Sequence, residues 1–396
     1  MKSQSSLRIA LPTIVYSDFT GVELYLYELS RYLVGMGHDV MILCPRPVGD
    51  IIDRTKANGV RVHSFDDYPY DWVPDIIHAN EKLPTAFAIS RWPDKPTVVT
   101  IHSQFSVEEP LVTDTIRTYI CIREEIAHHV QERFHIAKDR LHLIYNGFDF
   151  ERFQLAAKPI AKGADTILFV GTIDAIRRQS IEHLIAYTQQ NKMRLRVVGK
   201  RYESYLDNAP AHVELLAPRW DVENLFTPDV CQTAGVLLGR STIEGWISGR
   251  PGWIYDIETD GTVKNSKLCP VPDDIEKFNI TYTGRRITDL YLHSIQDDSR
   301  QKMSQYDIDR ANIQSILISR SITQGIMIHD IVGKIDYLEN ILSDHSGAIV
   351  DVRDSASQVA EGLKSVSQQI DHLEKFSPVA ISRIVNRYKS HHKKGK

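Results

Sequence analysis

The chain has 396 residues, of which 42% are hydrophobic and 25% are charged, and its formal net charge is −4. This length and apolar content suffice for two domains with full cores. The nearly balanced charge gives no reason to expect nucleic acid as a partner. Four widely separated cysteines form no Cys-x-x-Cys pair, which argues against a zinc site or a disulfide framework and favours a reducing compartment.

Neither a secretion signal nor a membrane span is evident in the sequence. The first apolar run, Leu7–Val15, has the length of a strand and contains Pro12. No uncharged stretch of about 18 residues occurs, so a spanning helix is not expected. We therefore expect a cytoplasmic protein.

The first half of the chain alternates short apolar runs with helical patterns, which predicts parallel βαβ units. The first strand is predicted at Leu7–Pro12 and the first helix at Gly21–Val34. Further strands are predicted at Asp39–Cys44, Asp75–His78, Thr97–Ile101, Thr118–Ile122 and Leu141–Tyr145. The segment Ala156–Ala164, rich in Ala, Lys and Pro, is typical of a linker.

The same pattern restarts after this linker. Strands are predicted at Thr166–Val170, Arg194–Val198 and Gly235–Leu238, and helices at Ile181–Gln190 and Thr242–Ser248. Two such sets predict two Rossmann-like doubly wound α/β domains, residues 1–155 and 156–345, facing across a cleft. Ligands of such sheets bind at the carboxyl ends of the strands.

The last region, residues 346–396, has a different periodicity. Apolar residues alternate at spacings of four and three over three heptads, which is typical of a coiled coil: Val352, Ala356, Val359, Leu363, Val366, Ile370 and Leu373. We expect residues 352–373 to form a homo-oligomer, the alternative being a helix packed on its own domain. Residues 379–396 combine an apolar stripe with lysines, which predicts either peripheral contact with an anionic membrane or a solvated terminus.

Several residues that follow predicted strands suit a nucleoside diphosphate. Gly21 lies between the first strand and the first helix, where a missing side chain lets the backbone approach a phosphate. The segment Gly239–Thr242 opens another helix, whose N–H groups can hold an anion. Ser241 and Thr242 are equally well explained as plain N-caps. Glu244 follows in the first turn of that helix.

The stretch Gly239–Pro251, GRSTIEGWISGRP, resembles the donor-binding core of family 4 glycosyltransferases of the GT-B fold. Over roughly residues 7–290, further matches occur in the family's order: Thr20-Gly21, Gly37-His38, Thr100-Ile101-His102, Tyr145–Asp149, Phe169–Gly171, Tyr255-Asp256 and Asp260-Gly261. The resemblance implies a hexosyltransferase that moves a sugar from a nucleoside-diphosphate donor to a glycan, lipid or protein acceptor. It implies retention of configuration, no metal and no cofactor.

The resemblance also implies roles for individual residues. Three of them are expected to act in catalysis: His102 at the donor sugar, Arg178 at the diphosphate in place of the family's lysine, and Glu244 at the ribose hydroxyls. The residues expected to bind the donor are Gly21, Arg177 (as an alternative register for Arg178), Gly239, Arg240, Ser241 and Thr242.

The sequence departs from the family pattern at three positions. Val236 replaces the first of two family glutamates, and a valine cannot hydrogen-bond sugar hydroxyls. Thr172 replaces a family arginine, and Arg123 replaces a serine near the end of the first domain. Val236 and Thr172 favour an alternative, a catalytically inactive glycosyltransferase-like subunit that assembles with a partner enzyme through its coiled coil, whereas Arg123 is either an acceptor feature or a surface change. An epimerase or phosphorylase on the same fold, or a carbohydrate-binding module, fits the sequence less well.

Overall fold

The computed structural model describes residues 6–296, apart from residues 18, 105–109, 114–115, 117 and 259. The predicted coiled coil at 352–373 and the predicted basic tail at 379–396 lie outside the described residues. Self-association and membrane contact therefore stay predictions. In the described part of the chain, no helix combines the length and the apolarity that crossing a membrane requires.

The first domain contains a seven-stranded, fully parallel sheet in the order β3-β2-β1-β4-β5-β6-β7. Its strands are β1 Arg8–Pro12, β2 Asp39–Cys44, β3 Arg61–Ser64, β4 Ile76–Ala79, β5 Thr97–Ile101, β6 Thr118–Cys121 and β7 Leu141–Leu143. Its helices are α1 Gly21–Gly35, α2 Asp50–Ala57, α3 Lys82–Arg91 and α4 Glu124–Phe134. The next helix, α5 Phe150–Ala156, packs on the second domain, since Phe150 and Phe153 share a core cluster with Trp246 and Ile247. Every residue of β4, β5 and β6 is buried, as expected when helices cover both faces of a parallel sheet.

The second domain contains a six-stranded sheet in the order β10-β9-β8-β11-β12-β13. Its strands are β8 Thr166–Val170, β9 Arg194–Val198, β10 Val213–Leu216, β11 Val230–Val236, β12 Gly252–Ile257 and β13 Val263–Cys269, and its helices are α6 Ala175–Gln190 and α7 Arg240–Ile247. Only β13 is antiparallel, paired with β12. The predicted pair of doubly wound domains is confirmed, and the strand order in each sheet reverses beside its first strand.

The strand predicted at Gly235–Leu238 is wrong in its bounds, because the strand runs from Val230 to Val236. Leu237 adopts a left-handed φ of 54°, which ends the strand earlier than its apolar side chain suggests. Inside the strand, Thr233 packs directly under α7, where a Cβ added to Gly245 would lie 2.2 Å from Thr233 Oγ1. Close approach of helix and strand, rather than an apolar run, accounts for this central strand.

A last helix, α8 Ile280–Gln296, follows the second sheet and returns to the first domain. Ile287 and Tyr291 on α8 belong to the core of the first domain, beside Leu26 and Leu29 of α1. The second sheet is therefore inserted between two segments that pack on the first sheet. The predicted boundaries of 1–155, 156–345 and 346–396 stay predictions.

The ends of β8 and β9 are in backbone contact at two glycines. A Cβ added to Gly199 would lie 1.8 Å from the carbonyl oxygen of Gly171, and a backbone atom cannot yield as a flexible side chain does. We expect Gly199→Ala to lower the free energy of unfolding by about 3 kcal/mol, measured by urea denaturation. Gly35→Ala, at the end of α1, is the control, because a Cβ there meets nothing within 4 Å; it should leave stability unchanged or raise it by up to about 1 kcal/mol. Equal stability of the two variants would contradict this packing argument.

Candidate functional site

The N-terminus of α7 lies at the carboxyl ends of β8 and β11, the neighbouring strands at the switch point of the second sheet. Gly239 is the N-cap residue, and a Cβ on it would lie 2.9 Å from the carbonyl oxygen of Val236. Ser241 Oγ donates to Ala234 O at 2.8 Å and accepts from Val170 N at 3.2 Å. The Ser241 hydroxyl thus joins the ends of the two strands. The helix backbone is left to meet an anion.

Thr242, like Ser241, attaches α7 to the sheet through its side chain. Its Oγ1 donates to Trp253 O at 3.3 Å. Its side chain occupies the space above two glycines, since a Cβ on Gly235 or on Gly252 would lie 2.7 Å from Thr242. The two hydroxyls therefore hold α7 against the sheet. The alternative that Ser241 or Thr242 is an N-cap is wrong, because the N-cap residue is Gly239 and no side chain caps this helix.

Arg240 and Glu244 face each other one helical turn apart. Arg240 Nε and Nη2 lie 3.2 Å and 3.1 Å from Glu244 Oε1. The guanidinium also stacks on the ring of Phe148, 4.4 Å from its centroid. Glu244 is only 4% exposed, and Arg240 Nη1 is buried without a hydrogen-bond partner among the described residues. One donor of Arg240 is therefore left for a further acceptor.

A second carboxylate, Glu28 on α1, is buried near this pair. Neither of its oxygens has a hydrogen-bond partner within the part of the chain that the structure describes, although Arg152 Nη1 lies 3.9 Å from Oε1. Burial raises the pKa of Glu28, and the charges of Arg240, Arg31 and Arg152 oppose this rise. Sequence reasoning missed Glu28. Its signal was a charged residue four positions after Leu24, on the apolar face of the predicted helix.

Two adjacent arginines at the start of α6 point to different places. Arg177 is half-buried, pairs with Asp174, and places Nε 3.7 Å from the position of a Cβ on Gly171, at the end of β8. Thr172 Oγ1 donates to the same Asp174 at 2.6 Å. Thr172, which stands where the family has an arginine, thus helps to hold Asp174 and through it Arg177.

Arg178, in contrast, is directed away from this strand end. Its side chain is 53% exposed, donates to Glu182 at 2.8 Å and lies over the Tyr205 ring. It lines an open surface depression of about 860 Å³ together with Arg201, Tyr202, Glu203, Ser204, Tyr205 and Asp207. The structure therefore brings Arg177, but not Arg178, to the Gly171 turn beside α7.

In the first domain, Gly21 begins α1 beyond the end of β1. It is exposed, and a Cβ on it would meet nothing within 4 Å. Glu23 organises the preceding turn, since its carboxylate accepts from Ser17 N at 2.7 Å and from Thr20 N at 3.0 Å. The backbone at Gly21 itself is therefore accessible.

His102 directly follows β5 and is nearly fully buried. Its Nε2 lies 2.9 Å from Asn80 Oδ1, while Asn80 Nδ2 donates to Pro12 O at 3.4 Å. Since the amide nitrogen is occupied as a donor, Nε2–H of His102 donates to Oδ1. Burial, and secondarily the charge of Arg123, lowers the pKa of His102 to about 3. The imidazole is therefore neutral at ordinary pH, with Nδ1 as a hydrogen-bond acceptor.

In the part of the chain that the structure describes, no group of three or more His, Cys, Asp or Glu side chains could hold a metal ion. All four cysteines are unpaired thiols.

Comparison with known proteins agrees with the two-domain α/β architecture described above. Residues 19–152 match the sequence family described as Glycosyltransferase Family 4. No curated protein matches the chain. Among solved structures, it is similar to Alr3699/HepE from Anabaena in complex with UDP and glucose, at 14% identity and a TM-score of 0.51, over 81% of this chain and 98% of that chain.

Two further structures of the same Anabaena protein are similarly related. The complex with UDP-glucose has 15% identity and a TM-score of 0.50, over 81% of this chain and 98% of that chain. The complex with UDP has 15% identity and a TM-score of 0.50, over 82% and 98% of the two chains. Such similarity shows the fold, and the two sheets of this chain form the GT-B architecture.

Proposed function

We propose that this protein transfers a sugar from a nucleoside-diphosphate donor to an acceptor that bears a hydroxyl group. The observation that carries the proposal is the N-terminus of α7, where Arg240 and buried Glu244 lie at the switch point of the second sheet. Helix N–H groups and an arginine suit a diphosphate, and a carboxylate suits ribose hydroxyls. The family match at residues 19–152 supports the same reaction class.

The donor would be held mainly from the second domain. Glu244 would accept hydrogen bonds from the ribose, and Gly239, Arg240 and Ser241 would present N–H groups to the distal phosphate. Arg240 holds Glu244 in the present structure and keeps Nη1 without a partner. It is thus able to serve the diphosphate while it orients the carboxylate. The Anabaena protein was solved with UDP-glucose, which makes UDP-sugars the first donors to test.

In the first domain, the turn at Gly21 would face the diphosphate and His102 would contact the donor sugar. Nδ1 of neutral His102 accepts a hydrogen bond from a sugar hydroxyl, while Asn80 holds Nε2–H. The bond between the anomeric carbon and the phosphate oxygen breaks, and a bond to the acceptor oxygen forms on the same face. The acceptor proton passes to the departing phosphate oxygen. This route gives retention, and helix N-termini and arginines stabilise the leaving group without a metal.

Calorimetric titration of the full chain with UDP, GDP, ADP, dTDP and their sugars tests the donor site. We expect one of these nucleotides to bind with micromolar affinity. We also expect the same nucleoside diphosphate to appear as a product when the protein is incubated with the corresponding nucleotide-sugar. Absence of any binding would reject the proposal. Binding without turnover, even with water as acceptor, would favour the inactive-subunit alternative that Val236 and Thr172 suggest.

Arg177 and Arg178 form a matched pair for this titration. We expect Arg177→Met to weaken nucleotide binding about tenfold, because one charge-assisted contact is worth about 1.5 kcal/mol. Arg178→Met should change affinity less than twofold, since that side chain is exposed and paired with Glu182. The opposite order would assign the diphosphate to Arg178, as the family register predicts.

A further inference from the structure

A chain of polar groups crosses the core of the first domain from α8 towards His102. Tyr291 Oη lies 2.5 Å from His78 Nδ1, and His78 Nε2 lies 2.6 Å from Thr100 Oγ1. Thr100 Oγ1 is 3.2 Å from Tyr25 Oη. The ring of Tyr25 then meets the His102 ring edge to face, with centroids 4.8 Å apart and an interplanar angle of 72°.

These groups are polar in an otherwise apolar environment. His78, Thr100 and Tyr291 are fully buried, and Tyr25 and Tyr291 belong to a core cluster with Ile76, Val98 and Ile120. Burial of a hydroxyl or an imidazole is costly unless it is hydrogen-bonded, and here each group has a partner. A fully satisfied buried network holds its members in one arrangement.

The protonation state of His78 determines which groups of this network donate and which accept hydrogen bonds. Burial, and secondarily the proximity of His102, lowers the pKa of His78 to about 3, so the ring is neutral. One ring nitrogen of His78 must donate and the other must accept. The hydroxyls of Tyr291 and Thr100 are therefore oriented with respect to each other through this ring.

His102 needs such support because its bond to Asn80 fixes one direction only. The ring of His102 can turn only about its side-chain torsions χ1 and χ2, and one hydrogen bond at Nε2 does not fix both of them. The Tyr25 ring, packed against it at 72°, limits that rotation and so sets the direction of Nδ1. Tyr25 is in turn held at its hydroxyl by Thr100 and, at 3.4 Å, by His78.

We propose that Tyr291, His78 and Thr100 are positioning residues, which hold Tyr25 and through it orient His102 for transfer. The inference rests on the proposed function, in which His102 contacts the donor sugar. It makes α8, the helix that follows the donor domain and returns to the first sheet, part of the support of the reaction centre. The contacts of Tyr291 are thus more than core packing.

Thr100 offers a pair of variants of nearly equal size. Thr100→Val removes the hydroxyl and keeps the branched shape, whereas Thr100→Ser keeps the hydroxyl. In the full chain we expect Thr100→Val to lower kcat about tenfold, with KM for the donor changed less than twofold, because a misdirected group mainly affects the transition state. Thr100→Ser should restore most of the wild-type kcat.

Tyr291→Phe deletes a single oxygen and should have the same effect as Thr100→Val. Its control is Tyr255→Phe, since Tyr255 Oη also bonds a histidine, His183, at 2.9 Å with ring centroids 5.5 Å apart, but in the second domain. The control should keep kcat within twofold of wild type. If Thr100→Val does not fold, Tyr291→Phe decides the matter.

A second measurement does not depend on turnover. In ¹⁵N-histidine spectra, the ring signals of His102, assigned by their loss in His102→Gln, should shift in Thr100→Val and Tyr291→Phe and stay unchanged in Tyr255→Phe. A fall in kcat without this shift, or unchanged kcat with unchanged signals, would overturn the positioning role. If the wild-type protein turns over no donor, the proposed function fails, and the ring signals alone decide whether the network orients His102.

Discussion

Replacing Glu244 by glutamine should weaken binding of the nucleotide donor about 100-fold, while the protein stays folded. Glutamine keeps the size of the side chain and one oxygen acceptor beside Arg240, so the loss falls mainly on the ribose contacts. Two charge-assisted hydrogen bonds of about 1.5 kcal/mol each account for a factor of about 100 in Kd. Titration calorimetry at constant salt measures the change.

Glutamine is preferable to alanine at this position for a physical reason. Glu244 is buried against Arg240, and removal of one partner of a buried ion pair typically costs about 3–5 kcal/mol of stability. An alanine variant that fails to fold would say nothing about the donor. Glutamine retains a neutral partner for the guanidinium.

Glu182→Gln is the matched control, because Arg178 and Glu182 form the same four-residue arginine–glutamate pair on α6, half exposed to solvent. We expect it to leave donor affinity within twofold of wild type. Equal weakening by both substitutions would mean a general charge effect, and no weakening by Glu244→Gln would remove Glu244 from the donor site.

His102→Ala should lower kcat about 100- to 1,000-fold and change donor Kd less than about threefold. A preorganised group that acts on charge developing in the transition state has an effect of this size. Steady-state kinetics with the donor identified by calorimetry measures kcat. His128→Ala, at an exposed position on α4, is the control and should keep full activity.

The pH dependence of the wild-type enzyme adds a test of the same residue. Because burial lowers the pKa of His102 to about 3, its ring stays neutral throughout pH 5–8. We therefore expect kcat to show no change in this range that depends on His102. A kinetic pKa between 6 and 7 that disappears in His102→Ala would contradict the neutral, Nε2-protonated histidine described above.

Six of the seven strands of the first sheet, but only three of the six strands of the second, were predicted, because buried parallel strands appear in a sequence as short apolar runs. Runs such as Thr97–Ile101 and Thr166–Val170 coincide with β5 and β8. The β12–β13 hairpin was not predicted, since its second strand, Val263–Cys269, is partly exposed and mixes lysine, asparagine and serine with apolar residues. An edge strand carries little apolar signal of its own.

The sequence by itself determined two doubly wound domains and the glycine-led turn at the start of α7, because both depend on local periodicity and on residue types at strand ends. The tertiary structure alone decided which side chains meet there. It placed Arg177 rather than Arg178 at the Gly171 turn, brought Glu28 from α1 near Arg240, and joined Tyr291 of α8 to His78. Glu28 and Tyr291 contact residues that are far away in the sequence. Arg177 and Arg178 are neighbours whose side chains leave the helix in different directions. Neither long-range contact nor side-chain direction can be read from the local sequence pattern.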